Sequence, residues 1–235
     1  MSSDIKKNLD EVKGRIAGAA ARAGRDEGDI KLVAVSKTHP PAVLAEAITA
    51  GAAVLGENKV QEAESKIVEL GRHAAEWHLI GHLQSNKARK AVELFDVIHS
   101  VDSVELATRL ERICEEAGRG ELSVFVQVDL GGEETKSGIS ESELPELVRY
   151  LKTCRHLRFD GLMVLPPFFD EAEATRPFFK RLRAIRDALM SDDAFSKGKG
   201  ELSMGMSHDF EVAIEEGSTV VRVGTAIFGE RGTRV

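Results

Sequence analysis

The chain has 235 residues, of which 42% are hydrophobic and 30% are charged, and it carries a formal net charge of −7. This composition is typical of a globular domain, and the acidic balance argues against a nucleic-acid partner and against a polybasic membrane-binding patch. No apolar stretch approaches the ~20 residues of a membrane span, the N-terminus lacks the apolar core of a signal peptide, and two cysteines are too few for a disulfide framework, so we expect a cytoplasmic protein.

The first predicted element is an amphipathic helix. Its apolar residues recur at spacings of three and four, as on one face of a helix: Ile5, Leu9, Val12, Ile16 and Ala20. Ser2, Ser3 and Asp4 are N-cap candidates, and Gly24 marks a stop. We expect residues 1–26 to form an N-terminal helix that packs on the rest of a single domain covering residues 1–235.

Short apolar segments then alternate with helical patterns. Eight such segments are present: KLVAVSK, AVLGE, WHLIGH, DVIHSVD, LSVFVQVDL, FDGLMVL, ELSMGM and TVVRVGTAIFG. Strands that alternate with helices pair in parallel, because each helix returns the chain in the same direction. Eight strand–helix units in about 250 residues predict an α/β protein with a closed (β/α)8 TIM barrel. The alternative is an open doubly wound sheet, which normally carries a glycine-rich turn after its first strand, whereas SKTHPP contains no glycine.

A lysine closes the first strand. Side chains alternate along a strand, so Val33, Val35 and Lys37 share one face, and Lys37 lies at the carboxyl end. In a TIM barrel the active face is formed by the carboxyl ends of the strands and by the loops that follow them. Lys37 is therefore either a reactive amine at the mouth of the barrel or a lysine that reaches past the strand end into solvent.

Further polar residues follow the next strands. Glu57 and Asn58 end the second strand, His82 ends the third, and Asp102 follows the fourth. His82 would share a strand face with His78, but no third ligand and no HExxH spacing accompanies the two histidines. We therefore expect no metal at this position.

The last two strand ends carry the pattern of a phosphate site. In TIM barrels the loops after strands seven and eight commonly bind phosphate, often with a helix N-terminus directed at the anion. Ser207 is predicted to cap the helix SHDFEVAIEEG, while Gly224 and Thr225 add a close backbone approach and a second hydroxyl. The alternative is that Ser207 is only an N-cap and Gly224 only a packing glycine.

Arg222 shares a strand face with Gly224 and is predicted to point into the barrel, where an unpaired cation is costly. Glu57, Glu201 or a ligand nitrogen could pair with it, and a purely structural ion pair is the alternative. An inward lysine, an inward arginine and a phosphate site at one barrel mouth suggest a phosphorylated aldehyde held as a Schiff base. Pyridoxal 5'-phosphate (PLP) is the first candidate. A sugar-phosphate aldolase would also use a barrel lysine, so the residues alone leave both open.

Long motifs cover nearly the whole chain: LVAVSKTHP, GENKVQE, WHLIGHLQSNK, VQVDLGGEETKSG, GLMVLPP and LSMGMSHDFEVAIEEGSTVVRVGTAIFGER. In these motifs the sequence resembles the pyridoxal phosphate homeostasis protein family, which is similar to the barrel domain of alanine racemase. The resemblance implies fold type III of the PLP-dependent proteins and a covalent aldimine between PLP and Lys37. It also implies a role in intracellular PLP homeostasis, by supplying or buffering the cofactor, without an established catalytic reaction.

The PLP-binding residues that the resemblance implies are Lys37, Asn58, His82, Met206, Ser207, Arg222, Gly224 and Thr225. Ser207, Gly224 and Thr225 would hold the phosphate, and Arg222 would lie near the pyridine nitrogen, while the rest line the pocket around Lys37. The implied partners are PLP itself and the apoenzymes that use it, and the implied state is a monomer or weak dimer.

A PLP-dependent amino-acid racemase is the alternative function, because it would share every cofactor residue. Racemisation by the alanine racemase route needs a second base, a tyrosine from a C-terminal domain of the partner subunit. The chain stops at Val235, so we expect that domain to be absent, and the single tyrosine, Tyr150, lies in a predicted outer helix. An arginine near the pyridine nitrogen also disfavours its protonation and weakens the electron sink that carbanion chemistry uses. Both points favour a binding protein over an enzyme.

Two positions depart from the family pattern. Lys59 stands where the family often has arginine, which keeps the charge, and Asp129 stands where it often has asparagine. The second change could alter the hydrogen bonding of the loop at residues 131–138, so we assign that loop no detailed role.

Overall fold

The computed structural model describes residues 4–132, 137–196 and 198–229, so residues 133–136 of the 131–138 loop lie outside the described residues. Eight strands form the centre of the fold: β1 (Lys31–Val35), β2 (Val54–Glu57), β3 (Glu76–Leu79), β4 (Val97–Val101), β5 (Leu122–Gln127), β6 (Leu157–Met163), β7 (Glu201–Met206) and β8 (Val220–Val223). Each strand pairs in parallel with its neighbours in chain order, and β8 pairs with β1, so the sheet closes into a barrel. The predicted (β/α)8 barrel is confirmed, and the open doubly wound sheet is wrong.

The described part of the chain contains nine α-helices: α1 (Ile5–Arg22), α2 (Pro41–Thr49), α3 (Val60–Leu70), α4 (Ala88–Leu94), α5 (Val104–Glu116), α6 (Leu144–Leu151), α7 (Arg176–Ser191), α8 (Phe210–Glu215) and α9 (Thr225–Phe228). The helices α2 to α8 each connect one strand to the next. Because every connection crosses back over the outside of the sheet, the strands all run in one direction, and their carboxyl ends form a single rim.

The N-terminal helix α1 packs against α8 and α9. The Asp4 side chain accepts a hydrogen bond from the backbone N–H three residues later at 3.1 Å, so Asp4 is the N-cap as predicted. Gly24 follows the helix with a left-handed φ of 65°, as a stop signal requires. Asn8 Nδ2 donates to the Ile227 carbonyl at 2.9 Å, which connects α1 with the segment that follows β8.

Hydrophobic residues fill two separate layers. The inner layer lies inside the barrel and comprises Val33, Val35, Val54, Ile80, Val97, Phe125, Met163 and Val220. The outer layer lies between the sheet and the helices, and it includes Ala34 and Leu55. Successive side chains of a strand point to opposite faces, so Val33 and Val35 point inward and Ala34 points outward. The face predicted for Val33 and Val35 is confirmed, and it is the face that leads towards Lys37.

Two glycines allow close packing beside the predicted site. A Cβ atom on Gly56 would lie 2.7 Å from Val33 Cγ1, inside the barrel. Gly205 has a φ of 95°, and a Cβ atom there would lie 2.6 Å from the Cβ of Ala213. Both separations are too short for a side chain, and the backbone of Gly205 also has a conformation that other residues rarely adopt. Gly205 thereby lets α8 lie directly against the end of β7, two residues before Ser207.

Three further observations bear on function. Within residues 4–132, 137–196 and 198–229, no helix combines the length and apolar character needed to cross a membrane. Among the same residues, no group of three or more His, Cys, Asp or Glu side chains is placed to hold a metal ion.

Cys114 and Cys154 are free, and burial raises the pKa of Cys114 to about 11 and that of Cys154 to about 12. Neither thiol is therefore activated as a nucleophile at neutral pH.

Candidate functional site

The residues predicted to bind a ligand lie at the carboxyl ends of the strands. Lys37 follows β1, Asn58 follows β2 and His82 comes shortly after β3. The remaining candidates belong to the last two strands and the segments after them: Met206, Ser207, Arg222, Gly224 and Thr225. Since β8 pairs with both β7 and β1, the last strand is adjacent to the first, and the barrel brings these positions to one rim.

Ser207 connects the ends of β7 and β8. Its Oγ accepts hydrogen bonds from the backbone N–H groups of Gly224 at 3.1 Å and of Ala226 at 3.4 Å. These N–H groups belong to the start of α9, where a helix has no internal acceptors for them. The hydroxyl of Ser207 and the N–H groups at the start of α9 therefore lie together, and Thr225 is exposed between them.

The prediction that Ser207 caps α8 is wrong. α8 begins at Phe210, and Asp209 occupies the cap position. A turn over residues 207–209 separates β7 from the helix, and within it Asp209 Oδ1 accepts a hydrogen bond from the Met206 N–H at 2.6 Å. Because this turn delays the start of α8, the Ser207 hydroxyl lies against the backbone that follows β8 instead.

Gly224 lies beside the end of β1. A Cβ atom on Gly224 would lie 3.4 Å from the Cβ and from the carbonyl oxygen of Val35, which is close to ordinary van der Waals contact. Its φ of −115° is open to any residue. Packing within the protein therefore does not by itself require glycine at this position.

Lys37 lies half-buried in the turn that follows β1. Before it, Ser36 Oγ donates to Glu57 Oε1 at 2.5 Å. After it, Thr38 has a left-handed φ of 69°, which is uncommon for threonine, and its N–H donates to the Glu62 carboxylate. The residues on both sides of Lys37 are thus bonded to β2 and α3, which fixes where the lysine side chain leaves the backbone.

A buried lysine of α3 holds this turn in place. Lys66 Nζ donates to the Ser36 carbonyl at 2.8 Å, to Glu57 Oε1 at 2.7 Å and to Glu62 Oε1 at 2.9 Å. The Lys66 side chain is 4% exposed and that of Glu57 is 0% exposed. Three acceptors match the three protons of an ammonium group, so the buried cation is satisfied. It joins the ends of β1 and β2 to α3, next to the turn that carries Lys37.

The two carboxylates around Lys66 differ in their pKa. Burial raises the pKa of Glu57, although Lys66 and Ser36 donate hydrogen bonds to it. Burial also acts on Glu62, but hydrogen bonds from Lys66 and from the Thr38 N–H outweigh it and lower the pKa of Glu62. Glu57 Oε2 is buried and lacks a hydrogen-bond partner among the described residues. Glu57 therefore depends on Lys66 to remain charged.

The segment KVQEAESKIVELG has the pattern of an amphipathic helix, and this pattern alone assigns Lys66 no role. A signal was nevertheless present. Lys66 lies three residues after Ala63 and directly before Ile67, so it falls on the face that the buried residues of α3 define. A lysine on the apolar face of a predicted helix indicates a buried cation, which requires an acidic partner.

Asn58 presents an acceptor at the rim. Its Oδ1 is buried and has no hydrogen-bond partner in the part of the chain that the structure describes. The backbone around it is closely packed, since a Cβ atom on Gly81 would lie 2.4 Å from the Asn58 carbonyl oxygen. Buried polar atoms almost always have a partner, supplied by protein, water or ligand. The Asn58 side chain is therefore a candidate ligand contact.

His82 lies at the outer rim. Its Nδ1 is 3.4 Å from Asp102 Oδ2, and its side chain is 51% exposed. Burial raises the pKa of Asp102, and the neighbouring His82 opposes this effect. His78, which the sequence placed on the same strand face, is buried inside the barrel. The two histidines therefore lie at different depths.

Arg222 is directed into the barrel, as predicted, and is 3% exposed. Its Nη1 donates to Ser203 Oγ at 2.6 Å and its Nη2 donates to the Val164 carbonyl at 2.9 Å. Neither of the predicted carboxylate partners pairs with it: Glu57 is bonded to Lys66, and among the described residues Arg222 forms no ion pair. Burial lowers the pKa of Arg222 to about 10, so the guanidinium is still charged at neutral pH.

The two departures from the family pattern have simple structural settings. Lys59 is exposed and lies in the cap position before α3. Asp129 Oδ1 accepts hydrogen bonds from the N–H groups of Gly131 at 3.0 Å and Gly132 at 3.1 Å, so this carboxylate holds the first residues of the 131–138 loop.

Comparison with known proteins identifies the family. The sequence model of the family "Alanine racemase, N-terminal domain" matches residues 7–232. A protein of Aquifex aeolicus is 43% identical over 225 residues, which cover 95% of this chain and 96% of that protein. A protein of Escherichia coli (strain K12) is 44% identical over 232 residues, covering 97% of each. Both are named pyridoxal phosphate homeostasis protein. The chain belongs to the pyridoxal phosphate homeostasis protein family.

Solved structures agree with this membership. PipY of Synechococcus elongatus PCC7942, determined with PLP bound, is 42% identical with a TM-score of 0.77, covering 91% of this chain and 100% of PipY. A protein from Bifidobacterium adolescentis is 37% identical with a TM-score of 0.88, covering 95% of this chain and 94% of that one. Alanine racemase from Corynebacterium glutamicum is 20% identical with a TM-score of 0.67, and the match covers 96% of this chain and 62% of the racemase. At this identity the similarity shows only that the two proteins share a fold. The family inferred from the sequence motifs is confirmed.

The cluster around Lys66 leads to a stability prediction. Lys66→Met should lower the free energy of unfolding by about 3–5 kcal/mol, because it leaves Glu57 buried without its cation. Urea unfolding followed by circular dichroism at neutral pH measures the change.

The matched control is Lys90→Met. Lys90 pairs with Glu64 and Glu93 on the surface, where ion pairs contribute little, so this variant should unfold like the wild type. Adding Glu57→Gln to Lys66→Met should recover part of the loss, since the buried charge is then removed with its partner. Equal and small effects of Lys66→Met and Lys90→Met would show that the buried cluster does not stabilise the fold.

Proposed function

We propose that this protein binds PLP, holds it as a Schiff base on Lys37, and supplies or buffers it in the cell without catalysing a reaction of its own. The proposal is carried by three groups at one rim: the Lys37 amine, the donors around Ser207 and Gly224, and the buried cation of Arg222. They match the aldehyde, the phosphate and the ring nitrogen of PLP. The names of the relatives and the PLP bound to PipY support it. We place this role in the cytoplasm, with PLP-dependent apoenzymes as recipients and a monomer or weak dimer as the acting species.

The phosphate would bind between the ends of β7 and β8. Ser207 and Thr225 offer hydroxyl groups there, and the backbone N–H groups of Gly224 and Ala226, which donate to Ser207 Oγ in this structure, would turn to the phosphate. A phosphate dianion accepts hydrogen bonds from both kinds of donor. Packing against Val35 does not require glycine at position 224, whereas close approach of a phosphate to the backbone does.

Lys37 would supply the amine. In its neutral form the Lys37 amine would hold the aldehyde of PLP as a Schiff base, with release of one water molecule. The bonds that hold Ser36 and Thr38 give the amine a fixed origin from which to reach the cofactor. Such a bond is reversible, as a protein that stores and releases a cofactor requires.

Arg222 would face the ring nitrogen. A guanidinium can only donate hydrogen bonds, and its charge disfavours protonation of a nearby nitrogen. Burial lowers the pKa of Arg222 to about 10, which still leaves it charged at neutral pH. Chemistry on PLP relies on the ring as an electron sink, and an unprotonated ring nitrogen weakens that sink. Arg222 therefore favours storage of the cofactor over catalysis.

Asn58, His82 and Met206 would line the rest of the pocket. The buried Asn58 Oδ1, which lacks a partner among the described residues, provides the strongest support of the three. Met206 is 36% exposed at the end of β7 and can cover an apolar part of the ligand. His82 would contribute from the outer rim, where it pairs with Asp102.

A racemase would need a second base opposite Lys37. Tyr150, the single tyrosine of the sequence, lies on α6 and packs against the outer hydrophobic layer. Burial also raises the pKa of Tyr150, which makes the hydroxyl a poorer source of a phenolate. Tyr150 is therefore unsuited to this role, and a binding protein is the better reading of the chain.

Light absorption tests the lysine and the cofactor together. Protein loaded with PLP should show a visible absorption band that borohydride abolishes, because borohydride reduces the C=N bond. Lys37→Ala should lack the band, whereas Lys59→Ala, which removes an exposed lysine close to the rim, should keep it. Mass spectrometry of the reduced protein locates the adduct. An adduct on another lysine would refute the role of Lys37. A wild type that stays colourless with added PLP would instead favour the sugar-phosphate aldolase alternative.

The phosphate site is tested with two single variants. Thr225→Val should weaken PLP binding about tenfold and leave unfolding unchanged, because it removes one hydroxyl donor to a charged group. Ser207→Ala should weaken binding and also destabilise the protein by about 1 kcal/mol, since two N–H groups at the start of α9 lose their acceptor. PLP titration and urea unfolding measure the two effects. Thr108→Val, on the outer face of α5, is the control, and equal affinity of Thr225→Val and Thr108→Val would move the phosphate elsewhere.

Racemase activity separates the two candidate functions. Fully loaded wild type should not interconvert the alanine enantiomers above the background set by Lys37→Ala, as measured by chiral chromatography. Turnover by the wild type that Lys37→Ala lacks would establish a PLP-dependent racemase instead of a binding protein.

A further inference from the structure

A line of hydrogen bonds crosses the interior of the barrel. Glu76 Oε1 lies 2.8 Å from His78 Nε2, and His78 Nδ1 lies 2.9 Å from His99 Nε2. His99 Nδ1 lies 2.9 Å from Ser203 Oγ. Arg222 Nη1 donates a hydrogen bond to the same Ser203 Oγ at 2.6 Å. We call these five residues the interior hydrogen-bond network. It runs through strands β3, β4, β7 and β8 and has no part in the assignments made above, apart from Arg222.

The network extends from solvent to the buried arginine. Glu76 begins β3 at the amino end of the barrel, where its side chain is 37% exposed and Lys31 Nζ lies 3.1 Å from its carboxylate. His78, His99 and Ser203 are buried. The His99 ring also stacks on Phe125, with ring centroids 4.5 Å apart. The middle of the network is therefore enclosed, and water does not compete for its hydrogen bonds.

The carboxylate at one end determines where the protons lie. A carboxylate only accepts hydrogen bonds, and the bond from His78 lowers the pKa of Glu76 to about 2, so Glu76 is ionised at neutral pH. Burial lowers the pKa of both His78 and His99, which keeps both rings neutral. A neutral histidine has one donor and one acceptor nitrogen. The proton of His78 must therefore be on Nε2, facing Glu76.

The positions of the remaining protons follow one after another along the network. With its proton on Nε2, His78 presents Nδ1 as an acceptor, so His99 must donate from Nε2. His99 Nδ1 is then an acceptor and receives the Ser203 hydroxyl proton. Ser203 Oγ keeps its lone pairs for Arg222. The reverse arrangement would leave the His78 Nε2 lone pair facing a carboxylate, which is repulsive.

The charged groups that act on the two histidines are Glu76, Lys31, Asp96 and Arg222. Only Glu76 makes a hydrogen bond to a histidine ring, so it sets the direction of the whole network. At the other end, the guanidinium has a second fixed bond to the Val164 carbonyl. Two bonds from different nitrogens of the guanidinium restrict the orientation of Arg222.

We propose that Glu76, His78, His99 and Ser203 are positioning residues for Arg222. The carboxylate at the amino end of the barrel fixes the tautomers of the two histidines, these fix Ser203 as the acceptor, and Ser203 orients the guanidinium towards the bound ligand. The orientation of the guanidinium towards a bound ligand rests on the proposed function, whereas the assignment of the histidine tautomers does not. A group at the opposite end of the barrel thereby controls how the cofactor ring is held.

The tautomers can be tested without any cofactor. Nitrogen-15 NMR of histidine-labelled apo protein should show His78 and His99 neutral, each with its proton on Nε2. In Glu76→Gln the amide can donate as well as accept, so neither direction of the network is enforced, and the His99 ring should become a mixture of the two tautomers although it does not contact residue 76. Glu201→Gln is the matched control, because Glu201 begins β7 at the same end of the barrel and lies outside the network.

A proton on Nδ1 of either histidine in the wild type would overturn the network, and this result does not depend on whether a variant folds. An unchanged His99 tautomer in folded Glu76→Gln would overturn control by the carboxylate.

The effect on the cofactor is measured separately. Ser203→Ala should weaken PLP binding about tenfold, the loss of one hydrogen bond to a charged group, and should shift the absorption band of the bound cofactor. Glu76→Gln should produce a smaller shift of the same band, while Glu201→Gln should produce none. Unchanged spectra and affinities in both network variants would overturn the link to the ligand. Failure of the wild type to bind PLP would overturn the proposed function, while the NMR result would still decide the network.

Discussion

One buried ammonium group connects the parts of the barrel on which the rim depends. Lys66 draws the backbone of Ser36 and the carboxylates of Glu57 and Glu62 to a single point. A charge in a protein interior is tolerated only when its hydrogen-bonding capacity is used, so the three acceptors cannot drift apart without a large loss of stability. Because those acceptors surround the turn after β1, the same interaction that stabilises the fold also fixes the position of Lys37.

The polar residues inside the barrel follow the same rule in a different form. Barrel interiors are usually filled by branched apolar side chains, and here the buried polar residues of the strands include two histidines, a serine and an arginine that form one line. Each added polar group would be costly alone. As a connected line, with a carboxylate at one end and a guanidinium at the other, they satisfy one another. The charge of Arg222 is thereby held inside the barrel without an ion-pair partner among the described residues.

The fold of this protein does not by itself decide its chemistry. Alanine racemase from Corynebacterium glutamicum shares the barrel fold at 20% identity, and a shared fold does not decide the chemistry. In this chain Tyr150 lies on the outer helix α6, and the buried guanidinium of Arg222 is charged at neutral pH.

The strand–helix alternation, the inward face of Val33 and Val35, and the positions of Lys37 and Arg222 at or near strand ends were predictable from the sequence. These follow from periodicity, which is a local property of the chain. The hydrogen-bond partners of the polar side chains were not predictable in this way. Ser207 bonds to α9 instead of capping α8, Arg222 bonds to Ser203 and a carbonyl instead of a carboxylate, and Lys66 is buried. Hydrogen-bond partners depend on how strands distant in sequence are aligned in the closed sheet, and no local pattern encodes that alignment.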